Sequence, residues 1–155
     1  MSYDCLIHEK LLDKELLKGP MIHLRLQGFY PGNPPHDLPN YCYLIMLGHA
    51  KIGQITLRLG YNEMTLIHGH IGYTIDPGYR GHGYSYYALQ IILDLAKEHG
   101  YERILVTCDP SNLRSIKSVL KAGGRIVYEN MDVPKDHIYY VLGMTHLHVY
   151  EIPLT

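Results

Sequence analysis

A glycine-rich junction between a predicted strand and a predicted helix carries the clearest chemical information in this sequence. It spans residues 73–85 and contains Arg80, Gly81 and Gly83 just before the helix. A helix N-terminus leaves about four backbone N–H groups without intrahelical partners and carries about half a positive charge. Glycines let the backbone approach a ligand closely, and the planar arginine cation suits phosphate. The junction therefore predicts a site for a pyrophosphate-like anion.

Two common nucleotide-binding patterns do not fit this junction. A Walker A loop places Lys and then Ser or Thr after its last glycine, whereas Tyr84 follows Gly83 here. A dinucleotide-binding fingerprint needs a third glycine, and none follows Gly81 and Gly83 at the required spacing. On the local sequence alone, a glycine-rich turn without a ligand remains an alternative.

The histidines and cysteines give weaker signals. Residues two apart on a strand share a face, so two pairs allow a zinc interpretation: His68 with His70, and His146 with His148. No Cys or carboxylate accompanies them at a matching spacing, and we predict no metal site. The three cysteines are far apart and form no C-x-x-C pair, which is typical of a reduced intracellular protein.

Hydrophobic periodicity predicts the elements that must position the junction. Apolar stretches before it predict an antiparallel run of strands over residues 21–27, 41–47, 51–59 and 66–76. A proline-rich loop over 28–40 separates the first two strands. Leucines at helical spacing predict a short helix over 9–18.

The pattern changes after the junction. Apolar positions on one face predict a helix over 84–99, and an unbroken apolar run predicts a buried strand over 103–108. Asp109-Pro110 is a favourable start for a second helix. Strands near 125–129 and 138–152 complete the pattern. The order predicts one α/β (α+β) domain over residues 1–155, with a mixed, mostly antiparallel sheet flanked by helices.

Composition and charge exclude several classes of partner. The 155 residues carry a formal net charge of -1 at pH 7, so the basic excess of nucleic-acid binders is absent and we predict no nucleic-acid partner. No apolar run approaches the roughly 20 residues of a membrane span, and the N-terminal residues are too charged for a signal peptide. We therefore expect a cytoplasmic protein with no membrane partner.

Two motifs in the same order resemble those of the GNAT N-acetyltransferase superfamily. One reads R-G-x-G-aromatic-small over residues 80–85, after a strand that ends near Pro77. The other, N-x-x-S, begins 27 residues after Ser85 at Asn112 and is followed by K-x-G over 121–123. Gly69-His70-Ile71-Gly72-Tyr73 and Cys108-Asp109 are most similar to a branch of uncharacterised predicted acetyltransferases. The resemblance covers residues 41–129.

The resemblance implies a fold and an acyl donor. It implies a GNAT-like sheet with a splayed central strand pair, here over 71–76 and 104–108, and acetyl-CoA as co-substrate. Loop N–H groups would bind the pyrophosphate, the first splayed strand would pair with the pantetheine arm, and one N–H there would stabilise the oxyanion. The implied donor-binding residues are Tyr73, Thr74, Ile75, Arg80, Gly81, His82, Gly83, Tyr84, Ser85 and Asn112. Asn112 could equally serve only as a helix-start residue.

The implied reaction is direct attack of a primary amine on the thioester carbonyl. An alkylammonium with a pKa near 10.4 is only about one part in 10³ neutral at pH 7, so its proton must be removed. Many GNAT enzymes protonate the leaving thiolate with a Tyr seven residues after the Asn, where this chain has Val119. In relatives that modify protein N-termini a Ser takes this role, which implies Ser115 here. A serine that only packs at the helix start is the alternative.

The general base is harder to assign. His70 lies on the strand that would border the thioester, and a pKa near 6.5 suits proton removal. Glu129 could reach the site from the strand after the second helix. A histidine that packs beside the sheet is the structural alternative for His70. The predicted catalytic residues are therefore Ser115, His70 and Glu129.

The acceptor is predicted only as the primary amine of a small molecule or peptide. If 21–27 is the first strand, the loop leaves an open acceptor site near Tyr30, His36 and Asp37; if 3–8 is the first strand, helix 9–18 forms its wall. Val119 also motivates a second function, a non-catalytic coenzyme A-binding or regulatory module. The strand-rich C-terminus could pair two chains into a homodimer.

Overall fold

Five antiparallel strands form the larger of two sheets. The structure is a computed structural model that describes residues 2–154. Each strand pairs with the next one along the chain, in the order β1 (Leu16–Lys18), β2 (His23–Tyr30), β3 (Asn40–Leu47), β4 (Ala50–Arg58) and β5 (Ile71–Ile75). Tyr41, Tyr43 and Ile45 of β3 are fully buried and alternate with partly exposed residues, so β3 lies at the centre of the core. The predicted run of antiparallel strands is confirmed.

Three antiparallel strands form the smaller sheet, in the spatial order β6 (Arg103–Cys108), β8 (His146–Pro153) and β7 (Arg125–Asp132). β5 ends the larger sheet and β6 the smaller, and within residues 2–154 no strand ladder joins them. The mixed, mostly antiparallel fold is therefore confirmed. β8 is paired along both edges, so it has no edge left for a second chain, whereas β7 has one.

Two long helices pack against each other and against the strands. They are α2 (Tyr84–Glu98) and α3 (Leu113–Lys121), whereas α1 (Thr65–His68) and α4 (Ile138–Val141) are single turns. Ser85 Oγ and Ser118 Oγ lie 2.7 Å apart and join α2 to α3. The inner face of α2 places Ala88, Leu89 and Ile92 in the core with no exposed surface. Among the described residues, no helix is long and apolar enough to cross a membrane.

The predicted helix over residues 9–18 is wrong. Residues 9–15 are not helical, and β1 follows them. Two tyrosine hydroxyls on β3 bind the backbone here: the N–H of Leu11 donates to Tyr41 Oη at 2.8 Å, and Tyr43 Oη donates to the carbonyl of Lys14 at 2.8 Å. Because these tertiary bonds and the pairing of β1 with β2 satisfy the backbone, they outweigh a leucine spacing that favours a helix.

The strand predicted over 66–76 is only half correct. Its first residues form α1, and β5 begins at Ile71. Gly69 lies between them with a φ of 70°, and a Cβ there would stand 2.9 Å from the carbonyl oxygen of Leu105. This close approach of two backbones requires glycine. His68 and His70 therefore do not share a strand face.

Two other boundaries also differ from the prediction. The strand predicted over 138–152 begins with the turn α4 and becomes β8 at His146. The second long helix begins after Asn112 rather than at Asp109, because Asn112 Oδ1 accepts a hydrogen bond from the N–H of Ser115 at 3.2 Å. Asp109 instead accepts from the N–H of Ser111 at 2.8 Å and stabilises the preceding turn.

Candidate active site

The two sheets are joined beside His70 and separate beyond it. The N–H of His70 donates to the carbonyl of Leu105 at 2.8 Å, and its Nδ1 accepts from the N–H of Leu105 at 2.9 Å. Further along, Tyr73 of β5 and Cys108 of β6 both contact Ser115 on α3. The two strands therefore enclose a gap whose closed end is His70.

The edge of β5 that faces this gap has no strand partner among residues 2–154, and the carbonyl of Ile75 accepts a hydrogen bond there from Arg80 Nε at 2.8 Å. Along its other edge β5 pairs with β4, and the N–H of Asp76 donates to the carbonyl of Ile52 at 2.8 Å. Because the backbone groups of successive residues point to opposite sides of a strand, those of Tyr73 and Ile75 point towards the gap. This edge can pair with an extended chain of amides, which is the arrangement predicted for Tyr73–Ile75.

A cleft of about 650 Å³ opens at the wide end of the gap, beside the N-terminus of α2. Nine of the ten predicted donor-binding residues line it: Tyr73, Thr74, Ile75, Arg80, Gly81, Gly83, Tyr84, Ser85 and Asn112. Ser115, the predicted acid, lines it as well. His82 is outside this lining, and its ring lies 5.5 Å from that of Tyr84. Residues that are up to 42 positions apart in sequence thus meet in one site.

The charge of this cleft is one-sided. Its lining contains no acidic side chain and four basic ones: Arg80, Arg114, Lys117 and Lys121. Within the described part of the chain, none of the four forms an ion pair with a carboxylate. A concave site with unpaired cations attracts a multiply charged anion. The three basic residues of α3 were not predicted from the sequence, although their spacing of three and four residues places them on one helix face.

Two loop glycines leave the backbone bare at this cleft. Gly81 and Gly83 have φ values of 88° and 76°, which residues with a Cβ rarely adopt. A Cβ at either position would meet no atom within 4 Å, so a ligand can reach the backbone there. Gly83 is the N-cap of α2 and offers no side chain to the first N–H groups of that helix. Free donors, bare backbone and positive charge together fit a pyrophosphate.

Ser115 connects the cleft to a half-buried tyrosine and a buried cysteine between the splayed strands. Its Oγ lies 2.8 Å from Tyr73 Oη and 3.3 Å from Cys108 Sγ. Burial raises the pKa of Tyr73 to about 12, although the hydrogen bond with Ser115 opposes the shift. Burial also raises the pKa of the Cys108 thiol. All three groups are therefore protonated at neutral pH, and Ser115 has a fixed hydrogen-bond partner.

The structure does not bring the two predicted bases to the cleft. His70 is fully buried, its Nδ1 is occupied by Leu105, and burial lowers its pKa to about 4. These observations favour the structural alternative for His70. Glu129 is exposed on β7, which β8 separates from β6 and the gap. Val119 is fully buried in the core.

Comparison with known proteins gives this arrangement a family. Residues 25–125 match the family model described as the acetyltransferase (GNAT) domain. The uncharacterized N-acetyltransferase YnaD of Bacillus subtilis (strain 168) is 36% identical over 124 residues, which cover 77% of this chain and 71% of that protein. The chain belongs to the GNAT acetyltransferase family.

Solved structures share the GNAT fold at lower sequence identity. A proposed acetyltransferase of Sphaerobacter thermophilus DSM 20745 matches with a TM-score of 0.59 at 15% identity, over 92% of this chain and 99% of that one. Mycobacterium smegmatis RimJ, in complex with CoA-disulfide, matches with a TM-score of 0.58 at 22% identity, over 74% of this chain and 53% of that one. At these identities the likeness shows the fold alone.

A second cleft, of about 790 Å³, lies at the other end of β5 in this GNAT domain. The loop between β2 and β3 and the segment 61–65 line it, together with Arg58, His68 and Gly69. Of the predicted acceptor residues, His36 and Asp37 line it. Tyr30 does not, because its ring folds back against Gly28. Since residues 3–8 form no strand and 9–15 no helix, the alternative acceptor wall is wrong.

Proposed function

We propose that this GNAT enzyme transfers the acetyl group of acetyl-CoA to the primary amine of a small molecule or peptide. One observation carries the proposal: nine predicted donor-binding residues, Arg80 among them, line a single cleft at the wide end of the gap together with three further basic side chains. Coenzyme A carries a pyrophosphate, a further phosphate and a chain of amides. The cleft offers cations for the phosphates, and the edge of β5 offers backbone groups for the amides.

The residues around the gap have separate roles in binding the donor and in stabilising the oxyanion. Arg80 is held by a hydrogen bond from its Nε to the carbonyl of Ile75 at 2.8 Å, so its charge is fixed beside the loop. The N–H groups at the start of α2 bind the pyrophosphate, and the N–H of Tyr73 faces the gap where an oxyanion needs a donor. The bound donor supplies the activated thioester. Asn112 caps α3 and thereby holds Ser115 at the gap.

Proton transfer to the departing sulfur is assigned to Ser115. Its hydroxyl lies at the gap, and Tyr73 Oη at 2.8 Å can return a proton to Ser115 Oγ when Ser115 gives its own to the sulfur; Tyr73 then regains a proton from water in the cleft. Because burial raises the pKa of Tyr73 to about 12, its hydroxyl is protonated throughout the neutral range and has a proton to return. On the acceptor side neither His70 nor Glu129 lines either of the two clefts described above, and we assign removal of the amine proton to water.

Calorimetric titration with acetyl-CoA is the first test. We expect micromolar binding by the folded protein, weakened by salt because four cations contribute. Absence of binding by protein that is folded, as judged by circular dichroism, would overturn the proposal.

Thiol release in the presence of primary amines is the second test. We expect turnover, and a loss in kcat of roughly 100-fold in Ser115→Ala with little change in donor affinity. Donor binding without turnover of any amine would instead favour the non-catalytic coenzyme A-binding module.

A further inference from the structure

Arg58 is a half-buried cation without a carboxylate partner, and it lines the second cleft. Its Nη1 donates to the carbonyls of His68 and Gly69, at 3.3 Å each. Within residues 2–154, no Asp or Glu forms an ion pair with it. Burial lowers the pKa of Arg58, yet a guanidinium stays charged at neutral pH. A charge taken partly out of water without a counter-ion is unfavourable unless a ligand supplies one.

Arg58 also lies close to Tyr73, whose N–H is the proposed oxyanion donor. Its two terminal nitrogens are 3.8 and 3.9 Å from the point where a Cβ on Gly72 would stand. Gly72 directly precedes Tyr73, whose backbone faces the gap, and consecutive Cα atoms are only about 3.8 Å apart. Because position 72 is glycine, no side chain of that residue stands beside the Arg58 guanidinium. A group bound to Arg58 would therefore lie a short distance from an amine that attacks the thioester in the gap.

The other charges of the second cleft are kept apart from Arg58. Asp37 and Glu63 line the same cleft, but both are exposed and neither pairs with Arg58. The cleft thus presents positive charge on its inner side, beside β5, and negative charge on its exposed side. Separated charges of both signs complement a zwitterion and do not favour a simple diamine.

We propose that Arg58 binds the carboxylate of the acceptor, and that the acceptor is an amino acid or a similarly short amino-carboxylate. This inference rests on the proposed acetyltransferase function and names the substrate class for it. The guanidinium can donate two parallel N–H···O bonds to a carboxylate, because its Nε and Nη2 form no hydrogen bond with the described residues. The short path over Gly72 then presents the amine to the gap.

The test compares amino acids with their own carboxamides as acceptors. The full chain is given saturating acetyl-CoA and each of the common L-amino acids or the matching amino acid amide, and thiol release is followed. We expect at least one acid to be acetylated with a KM about 10- to 100-fold below that of its amide, since the amide lacks the charge that Arg58 binds. Equal KM values for acid and amide, or turnover of amides alone, would overturn the inference.

Two variants separate recognition from a purely structural role. R58Q should raise the KM for the acid about 10- to 100-fold and leave the KM for the amide and the donor affinity unchanged. R25Q, which removes an exposed arginine on β2, is the matched control and should change neither KM. If Arg58 only holds the carbonyls of His68 and Gly69, R58Q would lower stability and affect acid and amide alike. Should R58Q not fold, the comparison of acid and amide in the unmodified protein decides.

Donor binding distinguishes the two levels of failure. If acetyl-CoA does not bind the folded protein, the proposed function itself is wrong. If acetyl-CoA binds and amines without a carboxylate are acetylated as well as the acids, only the assignment of Arg58 is wrong. Failure of every amino acid to react while the donor is bound would also overturn that assignment.

Discussion

At the scale of single residues, the donor site depends on adjacent side chains that are small or basic. Gly81 and Gly83 leave the backbone exposed, and Arg80 places a cation beside it. This part of the site could be predicted from the sequence, because its residues are contiguous and their chemistry is local. A prediction for His70 needed the geometry of two sheets, since only that geometry shows the ring to be fully buried.

Gly83→Val should abolish donor binding while the domain stays folded. Valine at a φ of 76° costs about 1–2 kcal/mol of strain, and its side chain would project where the pyrophosphate approaches. Gly48→Val is the matched control, because Gly48 has a φ of 60°, meets no atom within 4 Å of an added Cβ and lies in the turn between β3 and β4. Calorimetry should show loss of binding in the first variant alone. Equal affinities would mean that the loop does not hold the donor.

At the scale of elements, periodicity predicted the segments whose backbone bonds are local or lie in a regular ladder. β3, β4, β6 and α2 appear close to the predicted bounds. The helix prediction for residues 9–18 failed because two tyrosine hydroxyls, 29 and 30 positions away, bind the backbone there. The turns α1 and α4 were missed for a different reason: a single helical turn is too short to show a period. At residues 9–18, hydrogen bonds from distant residues therefore determined the structure, and the leucine spacing alone did not.

Gly53→Ala should weaken both the fold and the donor site. A Cβ on Gly53 of β4 would stand 2.2 Å from the carbonyl oxygen of Thr74, so β5 would have to move. Overpacking of this kind typically costs about 1–3 kcal/mol of unfolding free energy, and Thr74 also lines the donor cleft. Gly78→Ala is the control, because its Cβ would meet no atom within 4 Å and its φ is not left-handed. Urea denaturation and donor titration of both variants check this; unchanged stability of Gly53→Ala would contradict the packing described here.

At the scale of the whole molecule, two sheets with separate edges are joined beside a buried histidine. The larger sheet and α2 contribute most of the core, while the smaller sheet carries an exposed strand, β7, with a free edge. The homodimer stays a prediction, and β7 rather than the C-terminal strand is the edge available for it. Light scattering measures this directly, and a monomeric mass would contradict it.

Stability should fall as the pH drops from about 6.5 towards 4. Burial holds the pKa of His70 near 4 in the folded state, below its ordinary value of 6.5. The unfolded chain therefore binds a proton that the folded chain does not. The free energy of unfolding falls by about 3 kcal/mol across this window and is unaffected above it. In His70→Asn an amide oxygen can accept from Leu105 and nothing titrates, so its urea midpoint should depend less on pH. Parallel pH dependences of the two proteins would exclude His70 as the cause.

The free edge of β5 also makes the ligand a part of the architecture. A chain of amides bound along that edge would act as an additional strand. It would supply the hydrogen bonds that the two sheets lack between them. The amide proton of Tyr73, which faces the gap, should then exchange rapidly with deuterated solvent in the free protein and slowly once the gap is filled. Protection that spreads from Tyr73 into both sheets would show that the bound donor completes the hydrogen bonding between them.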